Sequence, residues 1–219
     1  MYQKTVLDNG LRIISERLDH VRSIAIGIWI MAGSRHEEKS EAGLAHYIEH
    51  VTFKGTPTRT PQQIAAELES VGGHLNAMTD KEIACFYSII LDTHLTRAVN
   101  LLSDIIINST YPLNELEREK GVILEEIRMY EDDPDEVALD SFTSSLWPEQ
   151  AIGRPTIGYA ETVQAFTKED IQRYRHKHYL YPNILVTVAG HLEHQELVKL
   201  VEKSFLRTLQ GSLPKESRG

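Results

Sequence analysis

An α+β fold, a mostly antiparallel sheet with helices packed on one face in two layers, is predicted by three observations. Stretches with the two-residue alternation of strands occur near the start, the middle and the end of the chain. Stretches with helical spacing lie between them in clusters, without the strict strand–helix alternation of a parallel sheet. Turn residues fall at the joints between the two kinds of pattern.

Taken in order, "TVLDNGLRII" places Asp8-Asn9-Gly10 between two apolar runs, a hairpin signal, and "SIAIGIWIMAG" alternates like a strand. Helical spacing follows over 41–53 and 61–71, where Pro61 suits a first helical position and Gly72-Gly73 a stop. "HLNAMT" and "IACFYSIIL" read as two further strands, antiparallel to each other. Helices are expected over 93–107, 113–131, 134–146 and 168–177. "ILVTVAG", 184–190, is a last buried strand, and a helix from 193 to about 206 follows it. Two prolines, two glycines and no periodicity make 148–161 a long surface loop within the domain.

At 219 residues the chain can hold one sizeable core or two small domains, and 41% hydrophobic with 25% charged residues excludes disordered and fibrous classes. The net charge of −9, with 23 scattered basic residues, offers no surface for a phosphate backbone, so no nucleic-acid partner is expected. The single cysteine, Cys85, precludes an internal disulfide framework and fits a reducing compartment. No secretory pattern opens "MYQKTVLDNGLRII" and no apolar run reaches membrane-spanning length. The expectation is a soluble cytoplasmic protein without a membrane partner, in which the sequon at Asn108 carries no meaning.

"LAHYIEHVTF", residues 44–53, carries the chemistry. On a helix His46 and His50 lie about 40° apart around the axis, so both imidazoles leave from one side, one turn apart. Glu49 lies about 60° from His46, placed to take a proton from a metal-bound water without binding the metal. Two readings fit: half of a zinc site, or a solvated polar face opposite the apolar stripe of Leu44, Tyr47, Ile48 and Val51. A catalytic zinc needs a third protein ligand. In "NELEREKGVILEEIRMYEDDP" the apolar face formed by Leu116, Val122, Ile123, Ile127 and Tyr130 also contains Glu119 and Glu126, about 20° apart, while Glu125 falls outside it. Carboxylates directed at a core need a cation, and either a metal or arginines would serve.

With these residues in view, the chain resembles the inverzincin metallopeptidases of the pitrilysin and mitochondrial-processing-peptidase type, whose signature is His-x-x-Glu-His, here His46-Tyr47-Ile48-Glu49-His50. "AGSRHE", "HVTFKGT", "VGGHLNAMTDKE" and "EREKGVILEEI" are similar to family blocks in family order, and the likeness runs from "LDNGLRI" to "VTVAGHLE". The resemblance implies that His46, His50 and Glu126 bind one Zn2+ per chain and that Glu49 is the general base. It implies that Glu119 supports the ligands or handles protons, and that Asn76 holds substrate backbone on an edge strand. The activity implied is endopeptidase hydrolysis of unfolded peptides or presequences by a metal-activated water. Family members carry two related halves, so residues 1–208 are expected to be the catalytic half-domain, with 209–219 a linker or tail. A homo-oligomer or a partner chain is expected to supply the second half. The alternative is a non-catalytic scaffold subunit of a two-chain processing peptidase.

Overall fold

The computed structural model describes residues 1–209, so the expected tail lies, from residue 210 on, outside the described residues. Six strands and eight α-helices follow one another: β1 (Tyr2–Val6), β2 (Arg12–Arg17), β3 (Ser23–Ile30), α1 (Leu44–Thr52), α2 (Pro61–Glu69), β4 (His74–Thr79) and β5 (Ala84–Leu91) come first. Then come α3 (Leu95–Asn108), α4 (Leu113–Glu131), α5 (Pro134–Leu146), α6 (Ala160–Ala165), α7 (Lys168–His178), β6 (Ile184–Gly190) and α8 (His194–Leu209). The predicted fold class holds. The sheet order is β1-β2-β6-β3-β5-β4, and every neighbouring pair is antiparallel except β2 with β6.

Local chemistry accounts for the element ends. The β1–β2 hairpin turns through Gly10 at φ 89°, and the Leu11 N–H donates to Asn9 Oδ1 at 3.0 Å. Thr60 and Gln63 cap α2 reciprocally, with Pro61 at its first position. Thr167 and Asp170 do the same for α7. Helix α6 has no counterpart among the expected elements, because six residues are too short to establish a helical period. The expected loop over 148–161 is also more than a surface crossing: Ile157 is buried, and the chain there lies against Ala42 and Gly43.

Alternation divides the sheet into two faces. Ile24, Ile26, Ile28, Ile30, Phe86, Ile90, Val186 and Val188 form the main core with Ile64 and Leu68 of α2, Leu102 and Ile105 of α3, and Leu197 and Val201 of α8. A second core joins Leu44, Tyr47, Ile48 and Val51 of α1 to Leu116, Ile123 and Ile127 of α4, and to Ile171 and Tyr174 of α7. The other face of the sheet, carrying Trp29, Met78, Tyr87 and Ile89, lines an open apolar trough of about 460 Å³. Among the described residues no helix is long and apolar enough to cross a membrane.

On α4 the structure narrows the predicted apolar face. Leu116, Glu119, Ile123 and Ile127 are buried, but Val122 and Tyr130 are exposed, since the helix meets α1 along a stripe narrower than the wheel allows. Helix α5 buries no residue at all.

Candidate metal centre

Helix α1 starts where two glycines let backbone approach backbone. Gly43, its N-cap, sits at φ 92°, a left-handed conformation that costs glycine nothing, and Gly158 faces it at φ 82°. A Cβ on Gly43 would stand 2.5 Å from the Ile157 carbonyl oxygen. Gly43 has no side chain to cap the helix, and Glu37 supplies one from outside. Its carboxyl accepts from the Gly43 N–H at 2.9 Å and the Ala45 N–H at 2.7 Å; burial pushes it up to about 8, and these two backbone bonds at the helix N-terminus oppose that rise. Tyr47, fully buried, ties α1 to α4 by donating to the Leu116 carbonyl at 2.9 Å.

With α1 and α4 fixed together, their polar residues converge at one end of the contact. Glu126 Oε2 lies 3.8 Å from His46 Nε2 and 3.6 Å from His50 Nε2. One ligand atom from each of His46, His50 and Glu126 falls within 4.8 Å of the others. Tetrahedral ligands at zinc bond lengths stand about 3.4 Å apart, close to the two histidine–Glu126 distances. The donor set, two imidazoles and a carboxylate, suits zinc and leaves a fourth position for water. Burial, then the neighbouring His50, holds the His46 imidazole down to about 3, which keeps it neutral, the form a metal requires. Its Nδ1 is buried without a hydrogen-bond partner.

Glu49 stands beside this trio, three residues on from His46. Burial raises its carboxyl above the usual range, and the Thr79 hydroxyl, which donates to Glu49 Oε2 at 2.5 Å, opposes that rise. A carboxylate with raised proton affinity is better matched to accepting a proton near neutrality. Glu119 occupies the other flank, with Oε2 at 3.4 Å from His50 Nδ1 and Oε1 at 2.7 Å from Lys54 Nζ. Burial works against its charge, yet the hydrogen bonds from His50 and Lys54 prevail and hold its carboxyl below the usual range. Glu125 is exposed and pairs with Arg128 at 2.5 Å, away from the histidines.

The sixth residue singled out in the sequence stands apart. Asn76 lies on β4, the free edge of the sheet, and alternation puts it on the face of Met78, away from the helices. Its Oδ1 accepts from the Ala77 N–H at 2.9 Å. Thr79, on the opposite face of the same strand, is the residue that reaches Glu49. Thr79, Lys54 and Glu37 are absent from the set that sequence reasoning picks out. Thr79 alone carries a signal there, standing an odd number of steps from Asn76 on a strand that alternates.

Residues 12–160 match the family model for insulinase-type peptidases, M16. The chain belongs to the M16 peptidase family. Residues 165–218 match a second family model, described as the M16 inactive domain. Over 99% of its length the chain is 40% identical to an uncharacterised zinc protease of Mycobacterium leprae, covering 49% of that protein. Over 94% of its length it is 39% identical to the uncharacterised zinc protease YmxG of Bacillus subtilis, covering 50% of it. The chain thus spans about half the length of these curated M16 relatives. A crystal structure of a Helicobacter pylori protease superposes with a TM-score of 0.90 over 94% of this chain and 50% of that one, at 24% identity, a likeness of fold.

Proposed function

We propose that this chain is the metal-binding, catalytic half of an M16 zinc endopeptidase that hydrolyses peptide bonds in unfolded peptides or presequences. The observation that carries the proposal is the convergence of His46, His50 and Glu126 from two helices, with Glu49 beside them and outside the ligand trio. A zinc ion bound there supplies Lewis acidity toward the scissile carbonyl and lowers the pKa of water. His46 and His50 would hold it, and Glu126 would complete the set. Glu49, held by Thr79, accepts the proton of the attacking water and returns it to the leaving amine. Glu119 keeps the His50 ring oriented through Nδ1.

Substrate is proposed to add as a further strand along β4, whose outer edge is unpaired and which carries Thr79 next to Glu49. Asn76 would then leave the Ala77 N–H to the peptide and hold the substrate backbone itself. Residues 1–208 form the catalytic half-domain in this reading, and the second half of the family fold completes the chamber as a covalent continuation, a partner chain or a second copy. The scaffold alternative draws on the match to the inactive-domain model, but that match covers 165–218 and contains none of the four proposed active residues.

Metal content tests the proposal. About one zinc per chain by plasma mass spectrometry, lost in His50→Ala and Glu126→Gln but kept in Glu125→Gln and Glu49→Gln, is the expected result. An unmutated protein that takes up no zinc when it is supplied would return the site to a polar helix face and bring the scaffold reading forward.

A further inference from the structure

Lys54 lies just past the end of α1, where its N–H closes the last turn on the Val51 carbonyl at 3.2 Å. From there its side chain reaches across to α4, and Nζ meets Glu119 Oε1 at 2.7 Å. The Glu119 side chain is only 6% exposed, so this carboxylate has little water to stabilise it and depends on partners. Its other oxygen faces His50 Nδ1 at 3.4 Å, and the opposite nitrogen of that ring, Nε2, faces Glu126 at 3.6 Å. Lys120, next to Glu119 in sequence, turns to Glu117 at 2.8 Å instead.

We infer that Lys54 is a positioning residue for the metal centre: through Glu119 it holds His50 in the orientation and tautomer that present Nε2 to the ion. The inference rests on the zinc-site reading above. An imidazole has one proton to share between its two nitrogens when neutral, and the nitrogen that donates decides which one keeps a free lone pair. A carboxylate pinned at Oε1 by an ammonium leaves Oε2 as the acceptor for Nδ1–H, and Nε2 is then the ligand. Without Lys54 the carboxylate loses its second anchor, and a buried charge shared with one imidazole pulls that ring toward itself or turns away from it. Lys54 touches neither the ion nor the substrate. Its effect passes through two contacts, and the sequence marks Lys54 only as one residue of the block "HVTFKGT".

A lysine at a helix C-terminus also steadies the helix by charge alone, so the test must separate the two roles. Zinc affinity is measured on the folded chain by competition with a chromophoric chelator, for the unmutated protein, Lys54→Met, Lys54→Arg, Glu119→Gln and the double variant Lys54→Met with Glu119→Gln. Urea unfolding of each metal-free protein runs alongside. The expected result is a zinc affinity weakened by about tenfold to a hundredfold in Lys54→Met, the range typical of groups that orient a ligand. Lys54→Arg, keeping charge and donors, should recover most of it, and Lys54→Met should cost nothing further once Glu119 is neutral. If Lys54→Met changes affinity by less than about twofold while lowering stability, or weakens it equally in the Glu119→Gln background, the inference is overturned and Lys54 is a helix-end cation. Should Lys54→Met fail to fold, Lys54→Gln takes its place under the same thresholds. Absence of zinc uptake by the unmutated chain would instead overturn the metal reading itself, and this inference with it.

Discussion

Gly43→Ala is the substitution that ties the fold to the site most directly. Gly43 holds φ 92° at the first turn of α1, and a Cβ there would meet the Ile157 carbonyl oxygen at 2.5 Å and Gly158 Cα at 2.8 Å. Both obstacles are backbone, which cannot rotate away as a side chain would. A left-handed conformation costs a residue with a Cβ roughly 1–2 kcal/mol, and forced overpacking adds about 1–3 kcal/mol. The sum is about 2–5 kcal/mol, against a stability of about 5–15 kcal/mol for a typical domain, so the protein should still fold. Relief would come from moving the start of α1, and His46 lies three residues further on. Urea unfolding of the metal-free protein reads the loss of stability, and chelator competition reads the zinc affinity, which should fall with it. A loss below about 1 kcal/mol with unchanged affinity would refute the argument that this glycine crossing fixes the helix that bears the histidines.

The hydrogen bond to Glu49 and the burial of His46 can each be tested in the same way. Thr79→Val keeps the shape but removes the 2.5 Å hydrogen bond to Glu49, a bond to a charged group worth about 1.5–3 kcal/mol. On the proposed function, peptide turnover by the chain assembled with its second half should fall by about tenfold or more with zinc retained, Thr79→Ser should keep most of it, and equal turnover in the valine variant would remove Thr79 from its role. His46 supplies the pH prediction. Its imidazole is held to about 3 in the folded chain against an ordinary 6.5, so between those values the unfolded chain binds more protons. The stability that neutral His46 supports is therefore present above about pH 6.5 and lost as pH falls toward 3, at up to about 1.4 kcal/mol per unit. Urea unfolding of metal-free protein across this range should show a shallower acid loss in His46→Gln. An identical slope in both proteins would show that His46 is not the group responsible.

The amino-acid order makes legible what short-range interactions encode. The hairpin at Asp8–Gly10, the alternation of 23–30 and 84–91, and the capped helices at 61, 134 and 168 depend on neighbours a few residues apart, and they appear where the sequence puts them. The spacing of His46, Glu49 and His50, and the placement of Glu119 and Glu126 on one side of a helix, are of the same kind, being angles about a single axis. Helix α6 is invisible to such patterns because six residues complete too little of a period. Val122 and Tyr130 depart from the expected face because a wheel shows a direction without showing how wide the contact is.

Tertiary structure alone decided what meets what. Strand β6, from residue 184 on, inserts between β2 and β3 and makes the one parallel pairing of the sheet, a long-range contact that no local pattern encodes. The approach of α4 to α1, about seventy residues apart in sequence, brings Glu126 to the histidines and Glu119 to both His50 and Lys54. The reach of Thr79 to Glu49 and the capping of α1 by Glu37 depend on how strand, loop and helix stack. The sequence by itself determined which groups could do chemistry and on which side of each element they stand, because the backbone's two periods fix direction. Distance between elements follows from packing the whole core, and only the folded chain sets it.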